Sequence, residues 1–99
     1  MGKLKADFTD AVVLVTGGAQ GIGKAISQAF AQAGARVVIA DIDEAAGQEA
    51  VSDQAMHGRA RFLRCDVGTP QDVESLMESI VAHEGRLDVL VNNAGIMIS

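Results

Sequence analysis

The chain has no tyrosine and no tryptophan, and among its 99 residues only one cysteine, one proline and three phenylalanines. A lone thiol, Cys65, excludes an internal disulfide framework and fits a reducing compartment. With aromatics at 3%, the core has to be assembled from Val, Ile, Leu, Ala and Met. Basic residues number 8 against 13 acidic ones, giving a net charge of -5, and they form no run. That balance argues against nucleic acid or an anionic membrane as partner. No apolar stretch is long enough to span a bilayer, and the first ten residues lack the apolar centre of a secretory signal. These absences leave one small domain over 1–99, near the lower size limit for independent folding and expected in the cytoplasm.

What is present alternates. Val12, Val13, Leu14, Val15 and Thr16 form an unbroken, β-branched run that ends in glycines. That is the signature of a parallel strand buried on both faces. The stretch 21–33 sets Ile22, Ala25, Ile26, Ala29, Phe30 and Ala33 on one helical stripe, with Gly34 at the expected C-cap. A second buried strand is predicted over 36–40. Asp43 then caps a helix running to about 56, with a thin apolar face of Ala46, Ala50, Val51 and Ala55. The run 60–65 reads as a third strand, less apolar and therefore nearer a sheet edge. Thr69, Pro70 and Asp72 make a strong helix start, a hydroxyl cap followed by proline and an acid. Val73, Leu76, Met77, Ile80 and Val81 continue it until Gly85, and 87–91 gives a fourth strand.

The order β-α-β-α-β-α-β with short connections and right-handed crossovers implies an α/β fold. It is a Rossmann-type parallel sheet with strands in spatial order 3-2-1-4. The first two helices should cover one face and the third helix the other. One helix is too narrow to cover four strands, so a further segment or another subunit is expected there, and a homo-oligomer fits. The chain stops four residues after Gly95, where another crossover would begin, and reads as a truncated, incomplete doubly wound domain.

Between the first strand and the first helix stand Thr16, Gly17, Gly18, Ala19, Gln20, Gly21, Ile22 and Gly23. A pyrophosphate needs a tight turn, a backbone without Cβ atoms in the way, and unpaired N–H groups at a helix N-terminus. Gly17 suits the turn, Gly21 the close approach, and Gly23 the packing of helix against strand. Gly18 to Lys24 also fits the start of a nucleoside-triphosphate loop, but Ala25 stands where that loop needs Ser or Thr for magnesium. Asp41 follows the second strand, 18 residues after Gly23, where a carboxylate accepts hydrogen bonds from an adenosine ribose. Ile42, expected beside Asp41 at the cofactor site, and Asp43 and Glu44 supply no base for a 2′-phosphate, so the expected cofactor is NAD rather than NADP.

These residues resemble the short-chain dehydrogenase/reductase family. Thr16, Gly17, Gly21, Ile22 and Gly23 match its T-G-x-x-x-G-I-G cofactor signature. Asp66 and Val67 match its adenine-contacting pair, and Asn92, Asn93, Ala94 and Gly95 its N-N-A-G motif. The resemblance runs from about Phe8 to Ser99, less than half of a typical member. It implies that Gly17, Gln20 and Ile22 line the diphosphate and inner ribose, and that Asp41 holds the adenosine ribose. It further implies that Asp66 accepts from the adenine amino group beside the Val67 amide. Asn92 to Gly95 would brace the fourth strand, with Ala94 and Gly95 close to the nucleotide. It implies hydride transfer between nicotinamide and an alcohol or carbonyl substrate. The family's chemistry uses Ser, a Tyr-x-x-x-Lys pair and a later Asn. With no tyrosine here, no catalytic residue is assigned, and the 99 residues are expected to hold the cofactor without turnover.

The remaining polar residues are read as structural. His57 and His83 sit in last helical turns, where a cation suits the dipole, and no metal site is expected. Cys65 reads as a small core residue, and Met56, Met77 and Met97 as core or edge residues. The alternative to an oxidoreductase is a short, non-catalytic NAD-binding or dimerising module.

Overall fold

The computed structural model describes residues 7–94; Gly95 and Met97 lie outside them. Each apolar run becomes a strand of one parallel sheet. The strands are β1 (Val12–Thr16), β2 (Arg36–Asp41), β3 (Ala60–Arg64) and β4 (Val89–Asn92). Between them run α1 (Gly21–Gln32), α2 (Glu44–Ser52) and α3 (Pro70–His83). The order across the sheet is β3-β2-β1-β4, as the connections required. Register pairs Val13 with Val37 on one side and with Val89 on the other, and Asp41 with Arg64 at the far end of β2.

All five residues of β1 are buried, and their alternating side chains feed two cores. Val13, Val15, Val37 and Ile39 meet Ala31 of α1, Ala50 of α2 and Met56 on one face. Val12, Leu14, Val38 and Ala40 meet Leu76 and Ile80 of α3 on the other. Each such aliphatic side chain contributes about 1.5–3 kcal/mol on burial, so the central strands carry most of the stability. β3, the least apolar strand, is an edge as expected. α3 covers β1 and β2, which leaves Leu90 on β4 58% exposed.

Two local expectations change. The predicted helix from Asp43 to about 56 is interrupted: α2 ends at Ser52, and Gln54–Met56 form a separate 3-10 turn. Asp53 breaks it with an extended backbone, because its carboxylate accepts from the Ala55 N–H at 2.9 Å and pairs with Lys24 at 3.3 Å. At α3, Thr69 makes no side-chain cap. Asp72 does not reach back to the cap residue either; its carboxylate accepts instead from the Asp66 N–H at 3.0 Å.

The thin apolar face of α2 is explained by Gly47. A Cβ there would occupy the space of the Phe62 ring, so the helix lies directly on β3. On the opposite face of β3, next to Phe62, Arg61 is bound bidentately by Glu84, at 2.8 and 2.9 Å. Its guanidinium also donates to the Ser79 hydroxyl. This holds the C-terminus of α3 to the sheet edge.

Candidate functional site

In a parallel sheet all strands end at one edge, and the connections that follow gather there. Here those connections are the glycine loop after β1, the turn after β2, the turn after β3 and the segment after β4. They enclose a cavity of about 200 Å³. Gly17, Asp41, Ile42, Asp66, Val67 and Ala94 stand round it, with Ala40 and Cys65 as its floor. Six of the residues expected at a cofactor site thus converge, although 77 positions separate the first from the last.

The glycine loop is set by backbone conformation. Gly17 has φ +64° and donates to the Ala40 carbonyl at 2.7 Å, which starts the turn against β2. Gly21 has φ +55°, costly for other residues, and a Cβ there would face open space. Gly23 is different: a Cβ would run into the Gly17 carbonyl and lie 2.7 Å from the Asn93 side-chain nitrogen. Its bareness lets α1 close onto the start of its own loop. Gln20 and Ile22 flank the helix start, both exposed, Ile22 to 70%.

The N-terminus of α1 is electrostatically open. Gln20 supplies no capping side chain, and the first turn holds no acid. By contrast α2 has Asp43 accepting from the Ala46 N–H at 3.0 Å and Glu44 in its first turn, and α3 has Asp72 in its first turn. The first-turn amides of any helix lack internal acceptors and carry partial positive charge. Of the three α-helix starts among the described residues, only that of α1 lacks an acid of the chain's own. Lys24, the lysine of the rival phosphate-loop pattern, is paired with Asp53 at 3.3 Å.

Asp41 is held from two sides. One carboxylate oxygen accepts from the Ala19 N–H at 3.2 Å and the other from the Asp43 N–H at 3.0 Å. The carboxylate thereby ties the glycine loop to the tip of β2, and Asp41 borders the cavity. Asp66 is organised similarly: one oxygen accepts from the Gly68 N–H at 2.9 Å, and its own N–H goes to Asp72. The Cys65 thiol is pushed up by burial first and by the Asp72 and Asp66 carboxylates next, with Arg64 partly opposing. It is therefore a neutral apolar floor and no nucleophile.

The segment after β4 acts as a brace. The Asn93 side chain donates to the Gly17 carbonyl at 3.1 Å. The Thr16 hydroxyl bonds the Asn92 side-chain oxygen at 3.1 Å and receives the Ala94 N–H at 3.2 Å. Asn92 and Asn93 thus join β1 to β4 rather than face the cavity, whereas Ala94 borders it. Three residues near the site were given no part in it by the sequence. Ser27, fully buried in α1, donates to the Gly23 carbonyl at 2.9 Å beneath the loop. Asp72 holds the Asp66 turn, and Arg64 lies opposite Asp41 in the register. Only strand pairing reveals Arg64, since 23 residues separate it from Asp41 in the chain.

The cradle therefore fits a dinucleotide: an open helix start, a loop bare of Cβ atoms, and a carboxylate at the tip of the next strand. This is the architecture of a nucleotide-binding α/β protein. Comparison with known proteins narrows it. The family model for short chain dehydrogenase matches residues 11–99, and the chain belongs to that family. It is 52% identical over 87 residues to sex determination protein tasselseed-2 of Zea mays, covering 87% of this chain and 25% of that protein. It is 48% identical over 90 residues to L-fucose dehydrogenase of Oryctolagus cuniculus, covering 91% and 31%. A crystal structure of hydroxysteroid dehydrogenase from Escherichia coli superposes with TM-score 0.85 at 37% identity, covering 92% of this chain and 38% of that one. The chain thus spans about a quarter to a third of the length of the curated relatives it matches.

Proposed function

We propose that this chain is the NAD-binding portion of an oxidoreductase that moves a hydride between nicotinamide and an alcohol or carbonyl substrate. The carrying observation is the pairing of the acid-free N-terminus of α1 with the Asp41 carboxylate at the tip of β2. The amides at Gly21, Ile22 and Gly23, with Gly17 and Gln20, hold the pyrophosphate. Asp41 accepts from the adenosine ribose and disfavours a 2′-phosphate. Asp66 and the Val67 amide bound the adenine, with Ile42 and Ala94 on the cavity walls. Asn93 positions the loop through Gly17. Bound nicotinamide supplies the hydride chemistry; the proton donor, a tyrosine in this family, is not among the 99 residues. On this reading the 99 residues alone bind the nucleotide without catalysing.

The test is calorimetric titration of NAD and NADP into the whole protein. Saturable NAD binding, weakened by Asp41→Ala with the gap to NADP narrowed, is the expected result. No heat with either nucleotide refutes the proposal. A second reading, a non-catalytic module that dimerises, draws on the exposed Leu90 and Val81 on the α3 side. It requires the 99-residue chain to sediment as a defined dimer, and a monomer or aggregate rejects it.

A further inference from the structure

Sequence neighbours of Asp41 offer no base, but the sheet does. Parallel pairing sets Arg64, the last residue of β3, opposite Asp41, the last residue of β2. Their Cα atoms are therefore about one strand spacing apart, roughly 4.8 Å. An arginine side chain is long enough to reach across that interval to any group seated on Asp41. The Arg64 side chain is 51% exposed and its ion pair with Asp72 is long, at 3.6 Å. Exposed pairs of this kind are weak and screened by solvent. The Asp72 oxygen it approaches already accepts the Asp66 N–H at 3.0 Å. Turning Arg64 away would therefore leave Asp72 with a partner and the Asp66 turn in place. Arg61 and Arg86, by contrast, are held bidentately by Glu84 and Asp88.

We propose that Arg64 is a latent determinant of cofactor class. The Asp41 carboxylate reserves this corner for a ribose diol, and Arg64 is the counter-charge through which the corner accepts a 2′-phosphate once that carboxylate is neutralised. The inference rests on the NAD reading of the site. A phosphate monoester carries close to two negative charges at neutral pH, so a carboxylate seated where it must lie excludes it. Guanidinium is the side chain whose planar donors match phosphate oxygens best. The two residues therefore act in opposition, and removing the acid exposes the base.

Dissociation constants for NAD and NADP, measured on the whole protein as wild type, Asp41→Ser and Asp41→Ser/Arg64→Met, decide the matter. Wild type prefers NAD. Asp41→Ser binds NADP more tightly than wild type does, and adding Arg64→Met removes about tenfold of that gain, the worth of one charge-assisted contact. The second substitution should move NADP far more than NAD, and Arg64→Lys in its place should retain part of the gain. A double variant that binds NADP as tightly as Asp41→Ser overturns the role of Arg64 while leaving the NAD site standing. Wild type that binds neither nucleotide overturns the underlying reading and the inference with it. If circular dichroism shows Asp41→Ser unfolded, Asp41→Asn keeps an oxygen for the Ala19 N–H and carries the same comparison.

Discussion

Gly23→Ala sets two effects of opposite sign against each other. Replacing glycine by alanine within a helix stabilises by roughly 0.5–1 kcal/mol, because the unfolded chain loses freedom. Gly23 lies in the first turn of α1 with ordinary helical backbone, so propensity alone predicts a more stable protein. Packing predicts the reverse. The new methyl would meet the Gly17 carbonyl and the Asn93 side-chain nitrogen. The first of these is backbone, pinned by the Gly17 N–H bond to Ala40 at 2.7 Å. On the helix side, α1 is anchored by the fully buried Ser27 and Ala31. With neither side free to move, overpacking costs about 1–3 kcal/mol, towards the upper end. Packing therefore wins, and a net loss of about 2 kcal/mol is expected. Urea unfolding measures that loss, and NAD titration should show affinity reduced at least tenfold as the loop is forced from α1. A variant as stable as the parent, with unchanged NAD affinity, would refute the argument that Gly23 closes the loop onto the helix.

Three further outcomes follow from the same geometry. Arg61 hydrogen bonding lowers the Glu84 carboxyl below its ordinary value of 4.5, against the opposing effect of burial. Its stabilising contribution is therefore present above that ordinary value and is lost as pH falls through the lowered one. Glu84→Gln should accordingly cost about 1–3 kcal/mol near neutrality and progressively less in acid, read from urea curves across pH; a pH-independent difference would be incompatible. Asn93→Ala removes the donor to the Gly17 carbonyl, so a loss of about 1 kcal/mol and weaker NAD binding are expected, checked by calorimetry. Gly47→Ala should destabilise by about 1–3 kcal/mol, and Phe62→Leu should recover part of that loss in the double variant, because the Phe62 ring fills the space. Strict additivity in the urea-measured cycle would contradict the contact.

Much of the fold was legible because its signals are local and redundant. The unbroken apolar run of β1 announced burial on both faces, and all five residues are buried. Short connections with right-handed crossovers left a single strand order, which is the one observed. What escaped depends on contacts distant in sequence. Helical period alone carried the second helix through Asp53, since the side-chain competition that breaks it includes an ion pair to Lys24 on α1. Thr69 looked like a cap by residue type, yet the turn is organised by Asp72 reaching Asp66. At the candidate site, glycine spacing and the place of Asp41 after β2 were readable, whereas Arg64 becomes its neighbour only through pairing with β3.

The charge of the chain and the charge of the proposed ligand have the same sign, and the fold resolves that conflict locally. A net charge of -5 repels a dinucleotide at long range, though salt limits that repulsion to roughly 10 Å. Inside that distance the arrangement of acids matters more than their number. Asp43 and Glu44 sit at the start of α2 and Asp72 at the start of α3, and Asp43 and Asp72 each accept from an amide of the chain itself. Asp41, which borders the glycine loop, sits at the tip of β2 and accepts from the Ala19 and Asp43 amides. The start of α1 is left with amides and no acid, and backbone amides cannot be neutralised by a shift of pH. Placing one acid there is thus the most economical way to close the site. Gln20→Asp should cap α1, stabilise the fold by about 0.5–2 kcal/mol and weaken NAD binding together. Urea unfolding and calorimetry on one preparation would show the two effects moving in opposite directions, and a variant that gained stability while binding NAD undiminished would mean the pyrophosphate is held elsewhere.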